Sequence, residues 1–235
     1  MDIFSLSIVI HVFAGFVALF TLWIPLFVKK GGRYHRLTGW IFTISMFIIS
    51  VTSIHLALYR IFIDGNRANE QFSFSLFMIF IAILSFATAY YGLRVLKFKT
   101  HKGNHHKTID WLVSLLLLLS AVAMSIYGFT YNDLLLAWFP FLGIFIASTQ
   151  MFYWWRGSKF RRSWVVEHIT GMLSCGISTV TAFVVLGAPR LFSLEEAPLW
   201  LWFAPTVILV PLIVYFTTLE YRKAARKRSA KKAAL

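Results

Sequence analysis

Seven stretches of the chain are nearly free of charge and long enough to cross the ~30 Å hydrocarbon core of a bilayer, which takes roughly 20 helical residues. They run from Ile3 to Val28, Leu37 to Ile63, Phe72 to Leu96, Ile109 to Tyr131, Leu134 to Trp155, Val165 to Leu186 and Leu199 to Leu219. Lipid offers a backbone amide no water, so each stretch must satisfy its own hydrogen bonds and is predicted to be a helix. The connections are short and leave no room for a soluble catalytic domain. The pattern therefore predicts an all-α integral membrane bundle of seven transmembrane helices over residues 1–220, followed by a basic tail, 221–235.

Composition agrees with a lipid solvent. The chain is 59% hydrophobic and 18% aromatic, and only 14% of it is charged, against about a quarter in ordinary globular domains. A net charge of +14 would suggest nucleic acid in a soluble protein, but here the charges sort by membrane side. Threading seven helices places 20 of the 23 lysines and arginines at one end, leaving only Arg60, Arg67 and Arg190 at the other. Because basic loops are retained in the cytoplasm, this distribution predicts an external N-terminus and a cytoplasmic C-terminus. Trp40, Trp111, Trp154, Trp155 and Trp164 fall at the basic end, and Trp138, Trp200 and Trp202 at the opposite end, as expected for indoles at headgroup level. The first helix has no basic stretch before it and no small-residue cleavage site after it, and is expected to stay as a helix. Cys175 is the single cysteine, so neither a disulfide framework nor a cysteine metal motif is expected.

Polar side chains at membrane depth are costly, so the histidines raise the question of function. His11 and His55 lie eight residues from the same membrane face on the first two helices, roughly 12 Å deep. Neutral imidazoles there suit the axial positions of a b-type haem, or one interhelical hydrogen bond each. A second set, His35, His106 and His168, lies near the basic ends of the second, fourth and sixth helices, with Glu167 and Asp110 close by. These residues suit a divalent metal or protons from a quinol, and equally an ordinary wet interface. The segments GRYHRLTGWIF (32–42) and GNHHKTIDWLV (103–113) align His35 with His106, each just before an outward-running helix. Gly171, Ser174, Cys175, Ser178 and Ala182 form a small-residue stripe on the sixth helix that favours close helix approach.

His11-x-x-x-Gly15 with Ala18-Leu19, then Lys30-Gly31 and His35-Arg36-x-x-Gly39, resembles a group of uncharacterised bacterial polytopic inner-membrane proteins of unknown function. The resemblance covers mainly the first two helices and implies a bacterial cytoplasmic membrane. A remoter likeness is to diheme b-type cytochromes, although His35 and His55 are 20 residues apart on one helix and face nearly opposite ways. The seventh helix has neither the lysine that retinal needs nor the histidines of ceramidase-like hydrolases.

Two functional readings stand. In the first, a redox-associated or electron-transfer protein holds haem b between His11 and His55, with the inner histidines near a quinone, a second cofactor or a redox partner. In the second, a cofactor-free transporter of a small molecule or ion, or a membrane assembly partner, lines a polar path with the same two residues. Besides the bilayer itself, the basic tail is expected to meet anionic lipid.

Overall fold

A computed structural model describes residues 2–63, 69–99, 107–156, 162–193 and 198–233. Seven of its helical segments are long and apolar enough to cross a membrane: Ile3–Phe27, Arg33–Phe62, Gln71–Lys97, Thr108–Thr130, Leu134–Arg156, Ser163–Phe192 and Leu199–Arg226. They are called here the first to seventh spans. The described residues form no strand, so the chain is an all-helical, multi-pass membrane protein.

The third span is the hub. It packs against the second, fourth and sixth, while the first lies on the second, the fifth on the fourth and the seventh on the sixth. Half of the third span's apolar window is buried, against 11% for the first span and 17% for the seventh, so the outer spans depend on lipid for most of their apolar contact. The main core joins Phe77, Phe80 and Leu84 of the third span to Leu117 and Ala121 of the fourth, Phe139 of the fifth and Trp202 of the seventh.

Several hydroxyl residues inside the spans find acceptors on their own helix, whereas the hydroxyls of Thr181 and Thr206 are buried without a partner. Thr38, Thr43, Ser50, Thr88 and Thr170 each donate to the carbonyl four residues back, which removes the cost of placing a hydroxyl in hydrocarbon.

Three helix ends differ from the sequence expectation. The sixth span runs past Leu186 to Phe192, because a π-helical turn over Phe183–Gly187 precedes Pro189. The wider turn accommodates a ring that would clash with a regular helix. The seventh opens with a 3₁₀ turn, Leu199–Trp202, and its helix continues through Ala204–Ala233, so no break separates span from basic tail. The reversal after the first span is held by Gly31 at φ 73°, a left-handed conformation that favours glycine. Lys30 Nζ donates to the carbonyls of Pro25 and Leu26 at 2.8 and 2.6 Å, capping the preceding short helix. Desolvation against that helix end holds the Lys30 pKa below that of a free lysine.

Tryptophan 154 corrects the interface reading. It is 1% exposed and packs on Tyr91, Phe98 and Tyr153, whereas its neighbour Trp155 is 72% exposed. Adjacent helical residues point about 100° apart, so only one of the two indoles reaches the headgroup level.

Candidate functional site

At the end of the bundle that carries the N-terminus, the first and second spans clasp each other through four polar residues. His11 Nδ1 lies 2.9 Å from Thr52 Oγ1, and His55 Nδ1 lies 3.0 Å from Ser7 Oγ. Ser7 and His11 are one turn apart on one helix, and Thr52 and His55 one turn apart on its antiparallel neighbour, so each imidazole meets a hydroxyl rather than the other imidazole. The Thr52 hydroxyl also lies 2.8 Å from Ile48 O. In its contact with Thr52, the tautomer of His11 sets which of the two side chains donates.

At the basic end, the last turns of the third span gather the remaining polar residues. Tyr90 donates to Asp110 Oδ1 at 2.8 Å, Tyr91 to Glu167 Oε2 at 2.6 Å, and Arg94 Nε to Asp110 Oδ1 at 2.6 Å. Asp110 Oδ2 also accepts from the Lys107 backbone N–H, capping the start of the fourth span. Between these contacts, the Gly92 carbonyl accepts from His168 Nδ1 at 2.7 Å.

This last bond depends on how closely two backbones approach. A methyl group on Gly171 would lie 2.8 Å from both Cα and N of Gly92, and His168 sits one turn before Gly171. One turn further along, the buried Cys175 Sγ reaches Ser85 O at 3.6 Å. Gly171 and Cys175 of the small-residue stripe thus lie on the seam between the third and sixth spans, whereas Ala182 is exposed. Gly171→Ala is expected to push the spans apart at a cost of about 1–3 kcal/mol, with a lower melting temperature in detergent and loss of the His168–Gly92 bond.

His35 reaches the same neighbourhood from the second span. Its Nδ1 lies 3.2 Å from the Pro25 carbonyl, which also accepts from Lys30, and its ring centre stands 6.3 Å from that of His168. Both imidazoles are held by Nδ1–H on a main-chain carbonyl, leaving both Nε2 atoms as free acceptors. That is the arrangement by which protein carbonyls orient metal-ligating histidines. Lys30 stands close to His35, and Lys99 close to His168.

Of the five expected site histidines, the structure thus brings His35 and His168 together and pairs His11 and His55 with hydroxyls. His106, with His101 and His105, lies outside the described residues. Glu167 turns towards Tyr91 and Gln150 accepts from Ser114 at 3.1 Å. Among the described residues, no three His, Cys, Asp or Glu side chains come together in a way that would hold a bare metal ion.

Sequence reasoning missed Tyr90, Tyr91 and Gly92, and it read Arg94 only as a topology charge. Nothing in their spacing marks them, because aromatic and basic residues are common wherever a helix leaves the membrane. Comparison of the chain with family models, curated proteins and solved structures finds no match.

Proposed function

We propose that this chain is a bacterial inner-membrane electron-transfer protein that holds one b-type haem between His35 and His168, with its basic end in the cytoplasm. The observation that carries this reading is the 6.3 Å separation of two imidazoles on different spans, each oriented through Nδ1 by a main-chain carbonyl. Two histidines are an incomplete set for bare zinc or iron, but His35 and His168 would suffice as the protein groups that hold a haem, which would supply one-electron redox chemistry. Lys30 and Lys99 are cations that stand near these two rings.

The quinone pool of the bilayer is the electron partner in this reading, and the basic helical extension, including Arg222, Lys223 and Arg226, rests on anionic headgroups of the same leaflet. The likeness to uncharacterised bacterial membrane proteins supports the location. Compared with the expectation from sequence, the haem moves from His11 and His55 to the basic end.

The test is absorbance of the chain purified from a haem-replete host. The wild type should show a low-spin Soret band, with at least tenfold less bound haem in His35→Ala and His168→Ala, and added imidazole should restore it. His11→Ala and His55→Ala should keep the band. A colourless wild type rejects the reading and favours a transporter or assembly partner. A band lost only in the His11 and His55 variants returns the haem to the opposite end. Non-haem metal that requires His106 replaces haem with a metal ion.

A further inference from the structure

The two imidazoles at the basic end rest on carbonyls with unequal support. Gly92 belongs to a helix of 26 residues, Asn69–Arg94, and its carbonyl accepts from His168 Nδ1 at 2.7 Å. Pro25 belongs to a helix of only four residues, Ile24–Phe27, and its contact with His35 is longer, 3.2 Å. Four residues do not hold a helix by themselves, because closing the first turn fixes several dihedrals for a single hydrogen bond. The chain leaves this helix at Val28, which is extended with ψ 164°, so the carbonyls of Pro25 and Leu26 are left without the amides that a longer helix would offer them.

Lys30 supplies the missing donors. Its Nζ donates to Pro25 O at 2.8 Å and to Leu26 O at 2.6 Å, and it stands over the Phe216 ring of the seventh span, 5.2 Å from the ring centre. The ammonium therefore ties the end of the short helix to the seventh span. One of the two carbonyls that it holds is the one on which His35 rests. A carbonyl oxygen can only accept, so the His35 contact requires the proton on Nδ1, and Lys30 and His35 both donate to the same atom.

We infer that Lys30 is the positioning residue of His35: by pinning the Pro25 carbonyl it fixes the direction of the imidazole, and with it the direction of the free Nε2. Groups that hold the second nitrogen of a ligating imidazole set the orientation of its ring, and Lys30 acts one bond further out. For its consequence in a loaded chain the inference rests on the reading of His35 as a haem ligand; for the chain without haem it rests on the contacts alone.

The full chain in lipid nanodiscs, with ¹⁵N-labelled histidines, is compared as wild type, Lys30→Gln, Lys30→Arg and Lys29→Gln, before and after addition of haem. In the unloaded wild type the His35 Nδ1–H, identified by its absence in His35→Gln, should exchange slowly with solvent. Exchange should be about tenfold faster in Lys30→Gln, the factor expected from loss of one hydrogen bond. It should stay at the wild-type rate in Lys30→Arg, which keeps a charged donor, and in Lys29→Gln, which removes only a neighbouring charge. The His168 Nδ1–H, held by Gly92, should be unchanged throughout. In the loaded chain Lys30→Gln should bind haem up to tenfold more weakly. It should also shift the low-spin ferric resonance signal, which depends on the angle between the two imidazole planes. Equal His35 exchange in wild type and Lys30→Gln overturns the inference. Equal acceleration in Lys29→Gln also overturns it, because the effect is then one of net charge, and so does matching acceleration at His168, because the bundle as a whole has then loosened. A wild type that takes up no haem rejects the reading of His35 as a ligand, and the exchange rates still decide the role of Lys30.

Discussion

Arg94→Leu is expected to cost about 3–5 kcal/mol, the penalty for leaving one member of a buried ion pair without its partner. Asp110, whose side chain is fully buried at the start of the fourth span, would lose the guanidinium that now lies 2.6 Å away. Tyr90 and the Lys107 N–H would remain as neutral donors, too few to solvate an isolated carboxylate in a low-dielectric interior. Thermal unfolding in detergent measures the loss. Adding Asp110→Asn should recover most of it, because the neutral amide can still cap Lys107 and no charge remains to be compensated. If the double variant melts no higher than Arg94→Leu alone, the cost lies in packing, including the guanidinium's place over the Phe98 ring at 4.8 Å, and not in the charge.

Gly128→Ala carries the second large effect. The fourth and fifth spans are joined by a tight reversal in which Asn132 adopts a left-handed φ of 56° and the Asp133 N–H returns to Gly128 O at 2.9 Å. Ser125 Oγ then reaches Ala137 O at 2.8 Å, drawing the short helix Leu134–Trp138 against the fourth span. A methyl group at position 128 would stand 2.1 Å from Ala137 N and 2.3 Å from Leu136 C. Both neighbours are backbone, so relief requires moving the whole short helix, and the cost is expected to be about 3 kcal/mol or more, the upper end of overpacking. Leu136 and Phe139 would shift with it, loosening the Phe77 and Trp202 core. Gly15→Ala is the control: nothing lies within 4 Å of the added methyl, so melting should be unchanged or raised by about 0.5–1 kcal/mol, as for glycine in a helix interior. No neighbour within the chain explains why Gly15 and Gly39 are glycine.

The helical count, the segment positions and the close-packing face of the sixth span were legible because lipid imposes one rule on every backbone amide and close approach demands small side chains at helical spacing. The polar pairings were less legible. His11 and His55 share a depth, and depth can be counted along a helix. Whether two side chains at one depth meet each other or meet a hydroxyl depends on the rotation of each helix, which seven lipid-facing sequences leave loosely specified.

The chain's residues by themselves determined that it has seven helices long and apolar enough to cross a bilayer and that its basic charge collects at one end, since both follow from transfer free energies that are additive along the chain. Only the tertiary structure decided that Arg94 belongs to an interior ion pair, that Trp154 faces inward while Trp155 faces outward, and that His35 and His168, 133 residues apart in sequence, stand 6.3 Å from each other. Those outcomes depend on helix rotation and crossing distance. Between the third and sixth spans, Gly92 and Gly171 let the two backbones approach closely.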